Sequence, residues 1–332
     1  MKVIIPVAGF GTRLRPHTLT NPKVLLNVGG KPMIFYIIDQ LIKDKIATSI
    51  ILITGFLGDK IKDYLDSTFD FKFDYVVQDE AKGLGHAVLC AKPVFKNRND
   101  EVLIILGDTL FDVDLKRMIS SGDSVIGVKK VDDPRRFGVV EKDGSGYIKR
   151  FVEKPSSSKV SPSNEAIVGL YYLKNSAKLF RSLEHIMKNN ITVKGEFQLT
   201  DALENMLSEN EKMKTYDVHG WLDCGKPETL LETNRYILKK RNKKITKEYP
   251  NSKIIHPVFI GKNADISDSI IGPYTTVNDN CIIRNSIIKD SILEKDVSIE
   301  NCIIEDSIIG EGAVVKRDIH KINIGNNSEY KS

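Results

Sequence analysis

The chain is 332 residues long, 41% hydrophobic and 28% charged. These are the proportions of a soluble globular protein with room for two domains, or for one large domain and an appendage. Lys and Arg outnumber Asp and Glu by only 49 to 44, too small a surplus to require nucleic acid as a partner. No apolar stretch approaches the length that spans a bilayer, so no membrane partner is expected.

The first element is the apolar run Val3-Ile4-Ile5, read as a strand Val3–Val7 buried in an α/β sheet. Because that run breaks at Pro6, no signal peptide is expected. Directly after it comes Val7-Ala8-Gly9-Phe10-Gly11-Thr12-Arg13-Leu14-Arg15-Pro16, followed by Pro22-Lys23. Two glycines behind a strand let the backbone turn sharply and approach a ligand, and the exposed N–H groups can cradle phosphate oxygens. Arg13 and Lys23 add fixed positive charge, so the segment reads as a polyphosphate site. It is not the dinucleotide fingerprint, whose third glycine would fall where Leu14 stands. Nor is it a Walker loop, since Gly30-Lys31-Pro32 and Gly225-Lys226-Pro227 lack the Ser or Thr after Lys.

Further strands are expected at Ile50–Thr54, Tyr75–Val77, Val102–Leu106 and Val125–Val128. Amphipathic segments at Pro32–Lys43, Asp59–Leu65 and Leu84–Ala91 lie between the first four strands as crossover helices. This alternation predicts a parallel, Rossmann-like core with ligands at the carboxyl ends of its strands. From Phe137 to Leu173 shorter strands and turns predict a mixed-sheet insertion suited to a second substrate. The basic run Lys239-Lys240-Arg241-Asn242-Lys243-Lys244 reads as a solvated helix end favoured by the dipole. Residues 243–252, with little apolar pattern, mark the domain boundary.

From Ile260 onward the texture changes. Apolar residues recur at Ile266, Ile271, Val277, Ile283, Ile288, Leu293, Ile299, Ile304, Ile309 and Val315, in steps of about five or six, with Gly, Asn, Asp and Ser between them. Asp268-Ser269-Ile270-Ile271-Gly272 returns as Asp306-Ser307-Ile308-Ile309-Gly310. Such a period is neither helical nor simply alternating; it predicts hexapeptide repeats coiled into a parallel β-helix. A last strand is expected at Ile322–Ile324. Cys90, Cys224, Cys281 and Cys302 form no close pair, so reduced thiols and a cytoplasmic location are expected rather than a disulfide framework or zinc knuckle.

The glycine segment with Pro22-Lys23 resembles the signature of sugar-nucleotide pyrophosphorylases, which join a nucleoside triphosphate to a sugar 1-phosphate. The similarity extends over nearly the whole chain. Gln78 with Gly83-Leu84-Gly85-His86-Ala87 is similar to the family's base-recognition segment, and Gly107-Asp108 stands where the family places a metal-binding aspartate. Arg136-Phe137-Gly138, Glu153-Lys154-Pro155, Ala166-Ile167-Val168-Gly169, Gly195-Glu196 and Trp221-Leu222-Asp223 follow in family order. The hexapeptide tail, closing with Ile324-Gly325-Asn326, is similar to the long form of glucose-1-phosphate thymidylyltransferase. The departures are Asn27, Thr109 and Gln198, where the family often has Pro, Asn and Glu.

The resemblance implies a nucleotidyltransferase domain over 1–243, with a mixed Rossmann-like sheet, and a short left-handed parallel β-helix over 253–332. It implies Arg13 and Lys23 as catalytic residues, and Ala8, Gly9, Gly11, Thr12, Gln78 and Gly83 as the nucleotide site. Gly138, Glu153, Lys154, Val168 and Glu196 would take the sugar phosphate, while Asp108 and Asp223 hold Mg²⁺. Transfer from dTTP to glucose 1-phosphate is the favoured reaction. UTP with glucose 1-phosphate, or GTP with mannose 1-phosphate, is the alternative; dTTP and UTP differ by a single methyl group, worth only ~1–3 kcal/mol. A non-catalytic regulatory subunit pairs the same two domains, but keeping Gly9, Gly11, Arg13, Lys23, Asp108 and Asp223 together argues against it. An acyltransferase role for the β-helix is disfavoured because His256 and His320 lie only at its edges. The β-helix reads instead as an oligomerisation module, which makes a homo-oligomer the expected assembly.

Overall fold

The computed structural model describes residues 1–96, 100–241, 245 and 247–317. Val3, Ile4 and Ile5 are each 0% exposed, the burial expected of an apolar run covered on both faces. They form β1 (Lys2–Pro6), flanked by the parallel strands β2 (Ser49–Thr54) and β4 (Val102–Ile105), with β3 (Phe73–Val77) beyond β2. Between them, α1 (Met33–Lys43) buries Met33, Ile34, Ile37, Ile38 and Leu41, the stripe that three- and four-residue spacing produces. Helices α2 (Gly58–Thr68) and α3 (Leu84–Cys90) complete the alternation.

Beyond β4 the parallel rule ends. A short strand, β5 (Thr109–Asp112), and a short helix, α4 (Leu115–Ile119), lead to β6 (Ser124–Lys130), β7 (Gly138–Lys142), β8 (Ile148–Glu153) and β9 (Glu165–Leu173). Residues 137–173 bring the mixed character expected of them, within the same sheet as β1. β9 runs antiparallel between β4 and β7, and pairs with β6 as well, so one nine-stranded mixed sheet results. A register shift between Ile167 and Tyr171 lets it serve these partners, a bulge that bends the strand. Helices α5 (Ser176–Lys188) and α6 (Leu199–Ser208) cover this part of the sheet. Leu179, Leu183, Leu203 and Met206 pack there against Ile104, Ile126 and Tyr171. β10 (Met213–Asp217) pairs with β6, and β11 (Gly220–Asp223) pairs with β5.

The chain divides into two units, one of Met1–Leu26 with Lys31–Thr229, the other of Asn27–Gly30 with Leu230–Ser332. Helix α7 (Pro227–Arg241) therefore belongs mostly with the second unit, whereas its pattern had suggested membership of the first. The expected strand at Ile322–Ile324 lies outside the described residues, as do Lys243, Lys244 and Thr246 of the boundary segment.

The second unit contains three four-stranded parallel sheets, an arrangement consistent with a left-handed β-helix. Each coil repeats the last after 16 or 17 residues. Inward positions stack in register: Ile271, Ile288 and Ile304 on one side, Ile266, Ile283, Ile299 and Val315 on another. Corners are made by Asp268, Asn285 and Asn301, and by Asn263, Asn280 and Asp296, all with positive φ. Asn and Asp tolerate that conformation better than other non-glycine residues. Their amides also join coil to coil: Asn280 Nδ2 donates to Asp296 Oδ1 at 2.9 Å, and Asn285 Nδ2 to Asn301 Oδ1 at 2.9 Å. The next residue at the first corner is Ser252, Ser269, Ser286 and then Cys302; each later backbone N–H donates to the hydroxyl of the coil before, at 3.0–3.1 Å.

Candidate active site

The glycine segment leaves β1 at its carboxyl end and forms a short helical turn, Thr12–Leu14, with Gly11 at its start. Gly11 has a φ of +61°, and a Cβ there would lie 3.0 Å from Thr18 Cγ2 and 3.1 Å from Lys23 Cβ. Both constraints call for glycine: the left-handed backbone and the close seat against Lys23. The Thr18 hydroxyl donates to Gly11 O at 2.8 Å and pins the loop. At Gly9 nothing lies within 4 Å of a notional Cβ, so the loop is open to a ligand on that side. Ala8 is half-buried, while Thr12 and Arg13 are exposed.

Lys23 is 8% exposed and its ammonium lies 2.6 Å from Asp108 Oδ2. Asp108 follows β4, and Gly107 presses so closely on Val7 that a Cβ would sit 2.5 Å from its Cγ1. The ends of β1 and β4 are thereby held together. β5 and β11 pair antiparallel with Thr109 opposite Asp223, which brings the second aspartate beside the first. Asp223 Oδ1 accepts the Gly225 N–H at 2.9 Å. A Cβ on Gly225 would meet Arg13 Nη2 at 2.8 Å, so Arg13 reaches the same corner. Among the described residues no group of three or more His, Cys, Asp or Glu could hold a metal ion. A hard cation at this pair of carboxylates would complete its shell with phosphate oxygens and water, as Mg²⁺ commonly does.

Gln78 is buried at the end of β3, its N–H donating to Thr54 O at 2.8 Å. Its amide nitrogen donates to Gly83 O at 3.3 Å and to His86 Nδ1 at 3.0 Å, which assigns the acceptor tautomer to Nδ1. Only the Gln78 carbonyl oxygen is left for a base. His86 as its orienting partner was not singled out from sequence; the spacing of His86 from Gly83 within one helical turn was the available signal. Gly83 stands at the start of α3. Its φ is +102°, and a Cβ would lie 2.6 Å from Phe197 O and 2.9 Å from Phe197 N. The close approach of the Phe197 backbone is by itself enough to require glycine here. Phe197 in turn accepts the Gly85 N–H at 2.8 Å and donates to Lys82 O at 2.9 Å. Glu196 is thus carried beside the same segment, exposed on a turn where Lys194 and Gly195 have positive φ, with Gln198 Nε2 donating to it at 3.1 Å.

Glu153 and Gly138 are opposite each other across β8 and β7. Glu153 Oε2 accepts the Thr200 hydroxyl at 2.8 Å, and its Oε1 lies 3.1 Å from Lys154 Nζ. Lys154 has a φ of +46°, an uncommon state for a non-glycine residue and one found at functional sites. Asp201, one residue on from Thr200, has a buried Oδ2 without a hydrogen-bond partner. Burial, then the charges of Glu153 and Glu204, push its carboxyl up to about 6. Val168 is 2% exposed and its side chain packs toward Gly127, so only its backbone is available to a ligand. The Phe137 ring, next to Gly138, meets Trp221 of the Asp223 strand edge-on at 5.2 Å.

The Nucleotidyl transferase family profile matches residues 2–240. The Bifunctional protein GlmU of Methanocaldococcus jannaschii is 35% identical, over 90% of this chain and 74% of that protein. The glucose-1-phosphate thymidylyltransferase of Streptomyces antibioticus is 31% identical over 96% of this chain and 93% of its own length. Among solved structures, a UDP-glucose pyrophosphorylase complexed with UDP-glucose aligns with a TM-score of 0.62 and 29% identity, over 72% of this chain and 99% of that one. No helix among the described residues is long and apolar enough to cross a membrane. With its glycine loop, lysine–aspartate pair and paired domains, the chain belongs to the nucleotidyl transferase family, where its relatives are sugar-1-phosphate nucleotidyltransferases.

Proposed function

We propose that the protein transfers the thymidylyl group of dTTP to glucose 1-phosphate, forming dTDP-glucose and releasing pyrophosphate. The observation that carries the reading is the buried Lys23 held 2.6 Å from Asp108 beside the Gly11 turn. The choice of dTTP and glucose 1-phosphate is supported by the thymidylyltransferase relative, which matches over nearly the whole of both chains.

An oxygen of the sugar phosphate attacks the α-phosphorus of the nucleotide, and the bond from that phosphorus to the bridging oxygen of pyrophosphate breaks. The attacking phosphate is largely ionised at neutral pH, with a second pKa of about 6, so no general base is required. The protein's task is to bring anions together and offset charge on the leaving group. Gly9, Gly11 and the following N–H groups hold the nucleotide phosphates, with Ala8 and Thr12 in the same loop. Lys23 lies against the reacting phosphate and Arg13 stabilises the departing pyrophosphate. Asp108 and Asp223 would hold Mg²⁺, which supplies charge neutralisation when bound. The Gln78 carbonyl oxygen accepts from a base N–H, and Gly83 fixes the segment that carries it. Lys154 receives the sugar phosphate, Glu153 and Glu196 accept sugar hydroxyls, and the backbone of Gly138 and Val168 borders them.

Four free cysteines support a reducing compartment, the cytoplasm. An outward row of Ile270, Ile287 and Ile303, the last 79% exposed, supports a homo-oligomer. The test is pyrophosphate release with Mg²⁺ and glucose 1-phosphate against dTTP, UTP, GTP, ATP and CTP in turn. Release with dTTP ahead of UTP, lost in Lys23→Ala and Asp108→Ala, is the expected result. Preference for another nucleotide moves the substrate, and silence with every nucleotide and sugar 1-phosphate overturns the reaction.

A further inference from the structure

Glu294 follows a strand of the β-helix and is 6% exposed. A carboxylate so far out of water needs its oxygens hydrogen-bonded if it is to keep its charge. Both meet Asn27, a residue of the same unit, and Oε2 accepts in addition from the Asn278 side-chain amide at 3.4 Å. The Asn27 N–H donates to Oε1 at 3.1 Å, and the Asn27 side-chain amide donates to Oε2. Burial pushes the Glu294 carboxyl up, while these two donors pull it down. The rest of Asn27–Gly30 is fastened too. The Gly29 N–H donates to Asn234 Oδ1 at 2.8 Å, the Arg241 guanidinium donates to Gly29 O, and Gly30 sits against the Phe259 ring in a conformation that excludes any Cβ. Asn234 is itself held by the Thr276 hydroxyl at 2.7 Å and by Tyr274 O at 3.0 Å.

The residue before Asn27 is Leu26, which caps the turn Lys23–Leu25 and returns its N–H to Lys23 O at 3.1 Å. The Leu26–Asn27 peptide bond therefore joins the gripped loop directly to the turn that carries the lysine. We propose that Glu294 is a positioning residue for the reaction, acting through Asn27 to set the Lys23 turn, so that the β-helix contributes to turnover as well as to stability. The proposal rests on the assignment of Lys23 to the reaction. A misplacement of about 1 Å at a reacting group can cost ~10²-fold in rate. A stabilising contact without a positioning role would leave kcat unchanged wherever the protein is folded.

The experiment uses the full chain. Asn27→Pro removes both donors, and the extended backbone at Leu26 (φ −65°, ψ 137°) is one that proline accepts after it. Glu294→Leu in the same chain then removes the buried carboxylate, left with the Asn278 amide alone, and restores stability. The double variant is expected to melt near the wild type while kcat stays ~10-fold or more below it with KM little changed. Ile299→Ala, in the β-helix interior away from Asn27, is the control for simple destabilisation and is expected to keep kcat. Wild-type turnover in the folded double variant, or an equal loss of kcat in Ile299→Ala, overturns the proposal. If the wild type releases no pyrophosphate, the reaction assignment has failed. Amide exchange over residues 23–26 then decides the tether separately: faster exchange in the double variant supports it, and unchanged exchange overturns it.

Discussion

Replacing Asp201 by asparagine is expected to stabilise the protein at neutral pH and not in acid. The carboxyl stands one residue into helix α6 from Thr200, with one oxygen buried and unpartnered. Burial and the nearby Glu153 and Glu204 charges raise it from 3.8 to about 6. Because the folded state holds this proton more tightly than the unfolded chain does, ionisation counts against folding. The penalty is absent below the unfolded pKa, grows through the interval from 3.8 to about 6, and is complete above it. At face value that shift is worth roughly 3 kcal/mol. The group is only half-buried, and solvent screening reduces the expected effect to about 1 kcal/mol. Asparagine keeps the shape and carries no charge. Urea unfolding of Asp201→Asn and wild type from pH 4.5 to 8 should show the variant ahead by ~1 kcal/mol at pH 8, with the gap closing toward pH 4.5. A difference that stays constant with pH, or that favours the wild type more as pH rises, would refute the reasoning.

Two other substitutions test the packing. Gly83→Ala should cost ~2–4 kcal/mol, since the φ of +102° is strained for any side chain and the new carbon would press on Phe197 O; an unchanged melting temperature would show that the segment yields instead. Ile288→Ala empties a position that is 0% exposed in the β-helix interior and should cost ~2–5 kcal/mol in calorimetric or urea unfolding. A loss below ~1 kcal/mol there would mean that the coils collapse onto the gap.

Local periodicity carries β1, α1 and the repeats of the second unit, because burial of Val3–Ile5, of one face of Met33–Leu41 and of every inward isoleucine writes itself into spacing. Pairings across long stretches of chain leave no such trace. Nothing in the spacing of Glu165–Leu173 shows that it lies between β4 and β7, because its partners are set by the register of distant strands. The meeting of Asp223 with Asp108 depends likewise on the β5–β11 pair, which joins segments more than a hundred residues apart. The closeness of Phe197 to Gly83 likewise leaves no mark in the local sequence. Asn27 stands out as a departure from a familiar pattern, yet its partner Glu294 is 267 residues away and has no local signal at all.

The coil-to-coil amide and hydroxyl ladders make the length of the second unit modular. Each corner residue meets its own kind one coil earlier, so duplication of a complete coil would present every donor with an equivalent acceptor and every inward isoleucine with an equivalent neighbour. Insertion of a single residue would instead shift every later side chain to the opposite face. Genes encoding such a chain can therefore grow or shrink by whole coils while the Asn27–Glu294 contact survives, provided the change falls beyond the coil that carries Glu294.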